Sequence, residues 1–163
     1  MLAPGARAQH PAMPAGMTHE EHLKQLEKGA DLKKRGAAAM GFDQDTTTHH
    51  FILTAKGGQI EVSANNPSDE MCVAQIRDHL ARIARAFANG DFSAPFATHS
   101  EVPPGVSTLR ELEGLVRYEF EKAPHGGQVV MTSANLNALS AIHDFLRYQI
   151  REHATGDPLT IAK

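Results

Sequence analysis

Apolar residues recur along this chain with two distinct periods. Val73, Ile76, Leu80, Ile83 and Phe87 fall three and four residues apart, which is the buried stripe of an amphipathic helix. Pro67 opens that helix and Asn89-Gly90 closes it. From His49 to Ala64 the period is instead two, with Phe51, Leu53 and Ala55 before Gly57-Gly58 and Ile60, Val62 and Ala64 after it. Alternation about a Gly-Gly pair predicts a hairpin with a two-residue turn. Counting outward from that turn pairs Leu53 with Val62 and Phe51 with Ala64, and sends both sets to one face.

The same plan then recurs. Val116, Tyr118 and Phe120 alternate, Pro124-His125-Gly126-Gly127 supplies a turn, Val129 and Met131 alternate, and Leu139, Ile142, Leu146 and Ile150 follow at helical spacing. Gly57-Gly58-Gln59-Ile60 matches Gly126-Gly127-Gln128-Val129, and Ile76-Arg77-Asp78-His79-Leu80 matches Ile142-His143-Asp144-Phe145-Leu146. The expectation is an α+β domain of two tandem ββα units, an internal duplication, with antiparallel strands covered on one face by helices. Repeat one spans 47–90 and repeat two 115–154, joined by a loop and a short helix near Val106 to Gly114, within a single domain over 42–163.

Ahead of the domain, Thr18 stands three residues before Glu21 as a capping box, and Leu23, Leu26 and Ala30 continue at helical spacing. Gly29 and Gly36 are expected to limit this helix, so that 18–41 holds a helix and a linker. Residues 1–17 carry three prolines, two glycines and almost no large apolar side chain, the composition of a mobile tail. Within them Ala6-Arg7-Ala8 has the small-residue pattern that ends a secretory signal, which favours a periplasmic or secreted protein, with a cytoplasmic one as the alternative.

Composition changes this picture in one respect. The 163 residues carry 16 basic and 19 acidic side chains, a net charge of -3, and no cationic face of the kind that neutralises phosphates, which speaks against nucleic acid. The longest apolar runs fall far short of the roughly 20 residues a membrane helix needs, so no integral span is expected. Ten histidines and six methionines stand beside one cysteine and no tryptophan. Lone Cys72 excludes an intramolecular disulfide and a cysteine-pair zinc site, and its place beside Val73 and Ile76 fits a packed small residue.

Imidazole and thioether together suit copper, the thioether favouring the cuprous ion, whereas zinc without thiolate would want three or four histidine or carboxylate ligands. His10, Met13, Met17, His19 and His22 form one such group, with His19 and His22 one helical turn apart. Spaced His and Met groups of this kind resemble those of bacterial periplasmic copper and silver binding proteins, over about a dozen residues. A second group centres on His49-His50, whose rings alternation sends to opposite faces, His49 with the core. With the two hairpins side by side, His49, His143 and His99 would approach a shared pocket near Met40, giving three nitrogens and a thioether. His79 and His153 are expected as half-exposed helical residues and His125 as an exposed turn residue.

No nucleophile elbow, P-loop, dinucleotide fingerprint or H-E-x-x-H is present, since His19-Glu20-Glu21-His22 has the wrong spacing. The leading expectation is therefore a small exported metal-binding protein, for copper, that captures or transports the ion. Two alternatives stand beside it. One is a small-ligand or protein-interaction domain with structural or pH-responsive histidines, its halves meeting within a chain or across a homodimer. The other is a metal- or haem-dependent enzyme using the His49/His50 region, with zinc or haem in place of copper.

Overall fold

The computed structural model describes residues 14–161. In chain order it contains α1 (His19–Met40), a 3-10 turn (Gln44–Thr46), β1 (Thr47–Thr54), β2 (Gly57–Ala64), α2 (Glu70–Ala88), α3 (Ser93–His99), α4 (Val106–Glu111), β3 (Arg117–Ala123), β4 (Gly126–Thr132) and α5 (Leu136–His153). The four strands form one antiparallel sheet in the order β1-β2-β4-β3. Two hairpin-then-helix units thus build an α+β fold. No described helix is long and apolar enough to cross a membrane.

The inner face of the sheet carries Phe51, Leu53, Ile60, Val62, Val129 and Met131, all buried. Against it lie the stripes of α2 (Ile76, Leu80, Ile83, Phe87) and α5 (Ile142, Phe145, Leu146, Ile150), also buried. The helices cross over. α2 packs chiefly on β3 and β4, while α5 packs on β1 and β2, so each covers the hairpin of the other unit.

The hairpin register differs from expectation. Thr54 pairs with Gly57 and Phe51 with Ile60, which leaves Ala55-Lys56 as the turn and puts both glycines inside β2. Their lack of a side chain serves the centre of the sheet instead. A Cβ on Gly57 would stand 1.9 Å from the Met131 carbonyl oxygen, and one on Gly126 would stand 1.9 Å from that of Val62. The repeated Gly-Gly pairs are therefore where β2 and β4 meet. In that central ladder Ile60 faces Val129, its own match in the sequence comparison, and the flanking pairs exchange halves: Gly58 with Met131, Val62 with Gly127.

The N-terminal helix also runs further than its glycines suggested. α1 starts at the Thr18/Glu21 capping box and passes Gly29 and Gly36 before ending at Gly41, whose φ of 81° is left-handed. Gly36 is tolerated because the Gln44 side chain occupies the space its Cβ would take, and the following Ala37 to Met40 are strong helix formers. α1 lies on α3, with Leu32 buried and the Arg35 guanidinium donating to the Thr98 carbonyl at 2.9 Å. α3, which no apolar period announced, thereby becomes the floor on which α1 rests.

A candidate metal centre lined by histidines

Where α1, α3 and α5 close over the β1 end of the sheet there is a cavity of about 80 Å³. Met40, His49, His79, Thr98, His99, Gln149 and His153 supply its polar and sulfur groups, and Phe51, Ile83, Phe87 and Phe145 are among its apolar wall. Strand alternation puts His49 on the inner face with Phe51. Phe145, Gln149 and His153 are successive positions four apart on α5, so the apolar stripe of that helix runs out into two polar residues at the cavity. His79 rides on the buried side of α2, its ring edge-on to Phe42 at 5.6 Å.

The rings are close. His153 stands 5.2 Å from His99 and 6.2 Å from His49, centroid to centroid. Two imidazoles bound at about 2 Å to a single ion, at tetrahedral to trigonal angles, have centroids about 5 to 6 Å apart. Ring orientation is another matter: His49 and His153 lie nearly parallel, at 10°. Among the described residues no group of three or more His, Cys, Asp or Glu side chains has already converged as a ligand set.

Burial governs the charge of these groups. It holds His49 at about 4, with the neighbouring His50 adding to the effect. His79 is also held at about 4, by burial first and then by Arg82 and His49. His153 is lowest, at about 3, through burial and then His99 and His49. His99 is lowered by burial against the opposing pull of Gln149, Glu152 and Glu101. All four are neutral at pH 7, so each offers a nitrogen lone pair.

Several of those atoms lack partners. His99 Nε2 lies 2.9 Å from Gln149 Oε1; an amide oxygen only accepts, so Nε2 carries the proton and Nδ1 the lone pair. That Nδ1, together with His49 Nε2 and Gln149 Nε2, is buried with no hydrogen-bond partner. Buried polar atoms are satisfied in the great majority of cases; three of the unsatisfied ones among the described residues belong to this cavity's lining, while His22 Nδ1, Gln44 Nε2 and the Tyr118 hydroxyl lie elsewhere.

Other expected ligands lie elsewhere. His143 is 7% exposed, but it faces the first hairpin turn, where Nε2 donates to the carbonyls of Thr54 and Gly57 at 2.9 and 3.0 Å. It is a clamp on the turn and not a lining residue, because α5 delivers position 143 to the far end of β1. His50 is on the opposite face of the sheet from His49. Its Nδ1 meets Asp157 Oδ1 at 2.8 Å, and Asp157 Oδ2 also accepts from the Phe51 amide at 3.0 Å. Burial works to raise the Asp157 carboxyl, but hydrogen bonds from Thr155, Phe51 and His50 outweigh it and leave the group below its ordinary value.

His19 and His22 sit in the first turn of α1, about 32 and 27 Å along the helix from Met40 at 1.5 Å per residue, Met17 just precedes it, and none of the three lines the cavity. His19 is exposed, whereas His22 is half-buried beside Leu26 and Arg151. His10 and Met13, like Ala6-Arg7-Ala8, lie outside the described residues. His79, His153 and Gln149 are the lining residues that sequence reasoning passed over. The available signal was on α5: polar residues at 149 and 153 continuing the spacing of an apolar stripe.

Comparison with family models, with curated proteins and with solved structures found no match.

Proposed function

We propose that this chain captures a transition-metal ion, copper in the first instance, in the histidine cavity, with His49, His99 and His153 as nitrogen donors and Met40 as a thioether donor. The observation that carries the reading is the pair of buried ring nitrogens, His49 Nε2 and His99 Nδ1, left without partners on residues that line the cavity with Met40. Neutral imidazoles are the form that binds metal, and burial keeps them neutral. A thioether favours the cuprous ion over zinc, and no thiolate contributes, since Cys72 is packed in the core away from the cavity. The space suits an ion with a few small atoms and not a haem macrocycle. The mechanism is ligand exchange, with capture or transport as its outcome.

Competitive cuprous and cupric titrations of the full chain test this. Replacing His49 and His99 together by Ala is expected to weaken copper binding at least a hundredfold, while replacing His19 and His22 together leaves it within about threefold. Losing even an outer-shell partner of a metal ligand costs roughly 10- to 100-fold in affinity, so losing two ligands should cost at least the upper end of that range. The opposite pattern overturns the assignment to the cavity.

A further inference from the structure

We infer that the segment 154–161 is a latched strap that gates the histidine cavity: release of Asp157 from β1 lets the strap turn about Ala154 and carries His153 out of the cavity wall. An outer cleft of about 250 Å³, with Thr47, Thr48, His50 and Thr155 in its lining, has two residues in common with the cavity, His49 and His153. Their rings stack at 6.2 Å and 10°, so this pair is the wall that both spaces share. One side of it is fixed and the other is not. His49 lies within the β1–β2 ladder, whereas His153 is the last residue of α5, set against His49, Phe51 and His99 by ring contacts.

Beyond His153 the chain has a hinge and then a catch. Ala154 has a φ of 50°, in the left-handed region that a residue with a Cβ seldom adopts, and Gly156 follows at 77°. Asp157 then accepts from the Phe51 amide at 3.0 Å and from the Thr155 hydroxyl at 2.7 Å, and meets His50 Nδ1 at 2.8 Å. β1 is an edge strand, so the catch takes an N–H that no neighbouring strand claims. Past it the strap is lightly held: Leu159 and Ile161 are exposed, and Arg147 Nε donates to the Leu159 carbonyl at 3.0 Å. A segment tied by a few hydrogen bonds with little buried apolar surface opens well before the fold as a whole. As regulation of capture the gate rests on that reading; as a motion of the chain it needs no metal.

The metal-free full chain, treated with diethyl pyrocarbonate and read residue by residue by mass spectrometry, tests this. Asp157→Ala removes the catch, and Gly156→Pro, whose ring demands a φ of about −65°, pulls the strap off independently. Each is expected to speed labelling of His153 and His49 on the order of tenfold or more, the worth of hydrogen bonds to a charged group, while labelling of His143 stays as it is. No acceleration at His153 in either variant overturns the gate. So does acceleration at His143 in step with His153, or failure of both variants to fold, since the segment would then be part of the fold proper. Copper titration of the unaltered chain separates the two readings: failure to bind copper removes the capture reading and leaves the labelling result to decide the gate.

Discussion

His143 and Arg77 perform the same task on opposite hairpins. His143 Nε2 donates to the carbonyls of Thr54 and Gly57 at 2.9 and 3.0 Å, and Arg77 donates from Nη2 and Nε to those of Ala123 and Gly126 at 2.8 and 2.9 Å. Thr54 and Gly57 flank one turn as Ala123 and Gly126 flank the other. The two clamps stand at matched positions of α5 and α2, one an imidazole and the other a guanidinium.

This makes His143 a stability residue. His143→Leu leaves the Gly57 carbonyl buried without its donor, at a cost of about 1 to 3 kcal/mol, measurable as a lowered urea midpoint. Copper affinity of the variant is expected to be unchanged. A His143 variant that folds normally but binds copper poorly would return His143 to the ligand set.

Stability should depend steeply on pH. His49 and His79 are held at about 4 and His153 at about 3 in the folded chain, whereas an unfolded histidine titrates near 6.5. Between those values the unfolded chain binds more protons, so stability rises with pH there. The contribution is complete above about 7 and is lost as pH falls from 6.5 towards 4. A single group held at about 4 accounts for on the order of 3 kcal/mol. Urea unfolding at pH 7.5, 5.5 and 4.5 should show a falling midpoint, and His153→Phe should flatten the fall. A midpoint independent of pH over this range would mean that the histidines are open to solvent.

Glycine substitutions should separate sheet from helix. Gly126→Ala sets a methyl group 1.9 Å from the Val62 carbonyl oxygen, so β2 and β4 must part, at a cost of several kcal/mol or outright loss of folding. Gly29→Ala meets nothing within 4 Å on α1 and should stabilise by about 0.5 to 1 kcal/mol. Thermal unfolding of the two variants would read both signs, and equal effects would contradict the register.

Much of the frame was legible from periodicity, because α2, α5 and the four strands each bury one regular face. The hairpin register was not, since Gly57-Gly58 has the chemistry of a turn and only the approach of β4 reveals why those positions lack side chains. α1 was cut short in the sequence reading for a similar reason, Gly36 being matched to Gln44 across the fold. At the cavity, His49, His99 and Met40 were legible from residue type and strand alternation. His153 is half-exposed as expected, whereas His79 is buried against Phe42, whose placement no local pattern encodes. His143, expected beside His49 and His99, instead meets the first hairpin turn, because helical spacing fixes a face but not how far along the sheet a position lands.

The crossed packing of α2 and α5 ties the two halves of the chain together mechanically. A hairpin released from its partner would keep a helix that reaches largely beyond it, and an inner sheet face only partly covered. Neither half covers its own hairpin fully, and the connection from Asn89 to Val116 is itself packed, with Phe92, Val106 and Leu109 buried in the shared core. Severed there, the pieces would find stability only in each other's company, as complementary fragments.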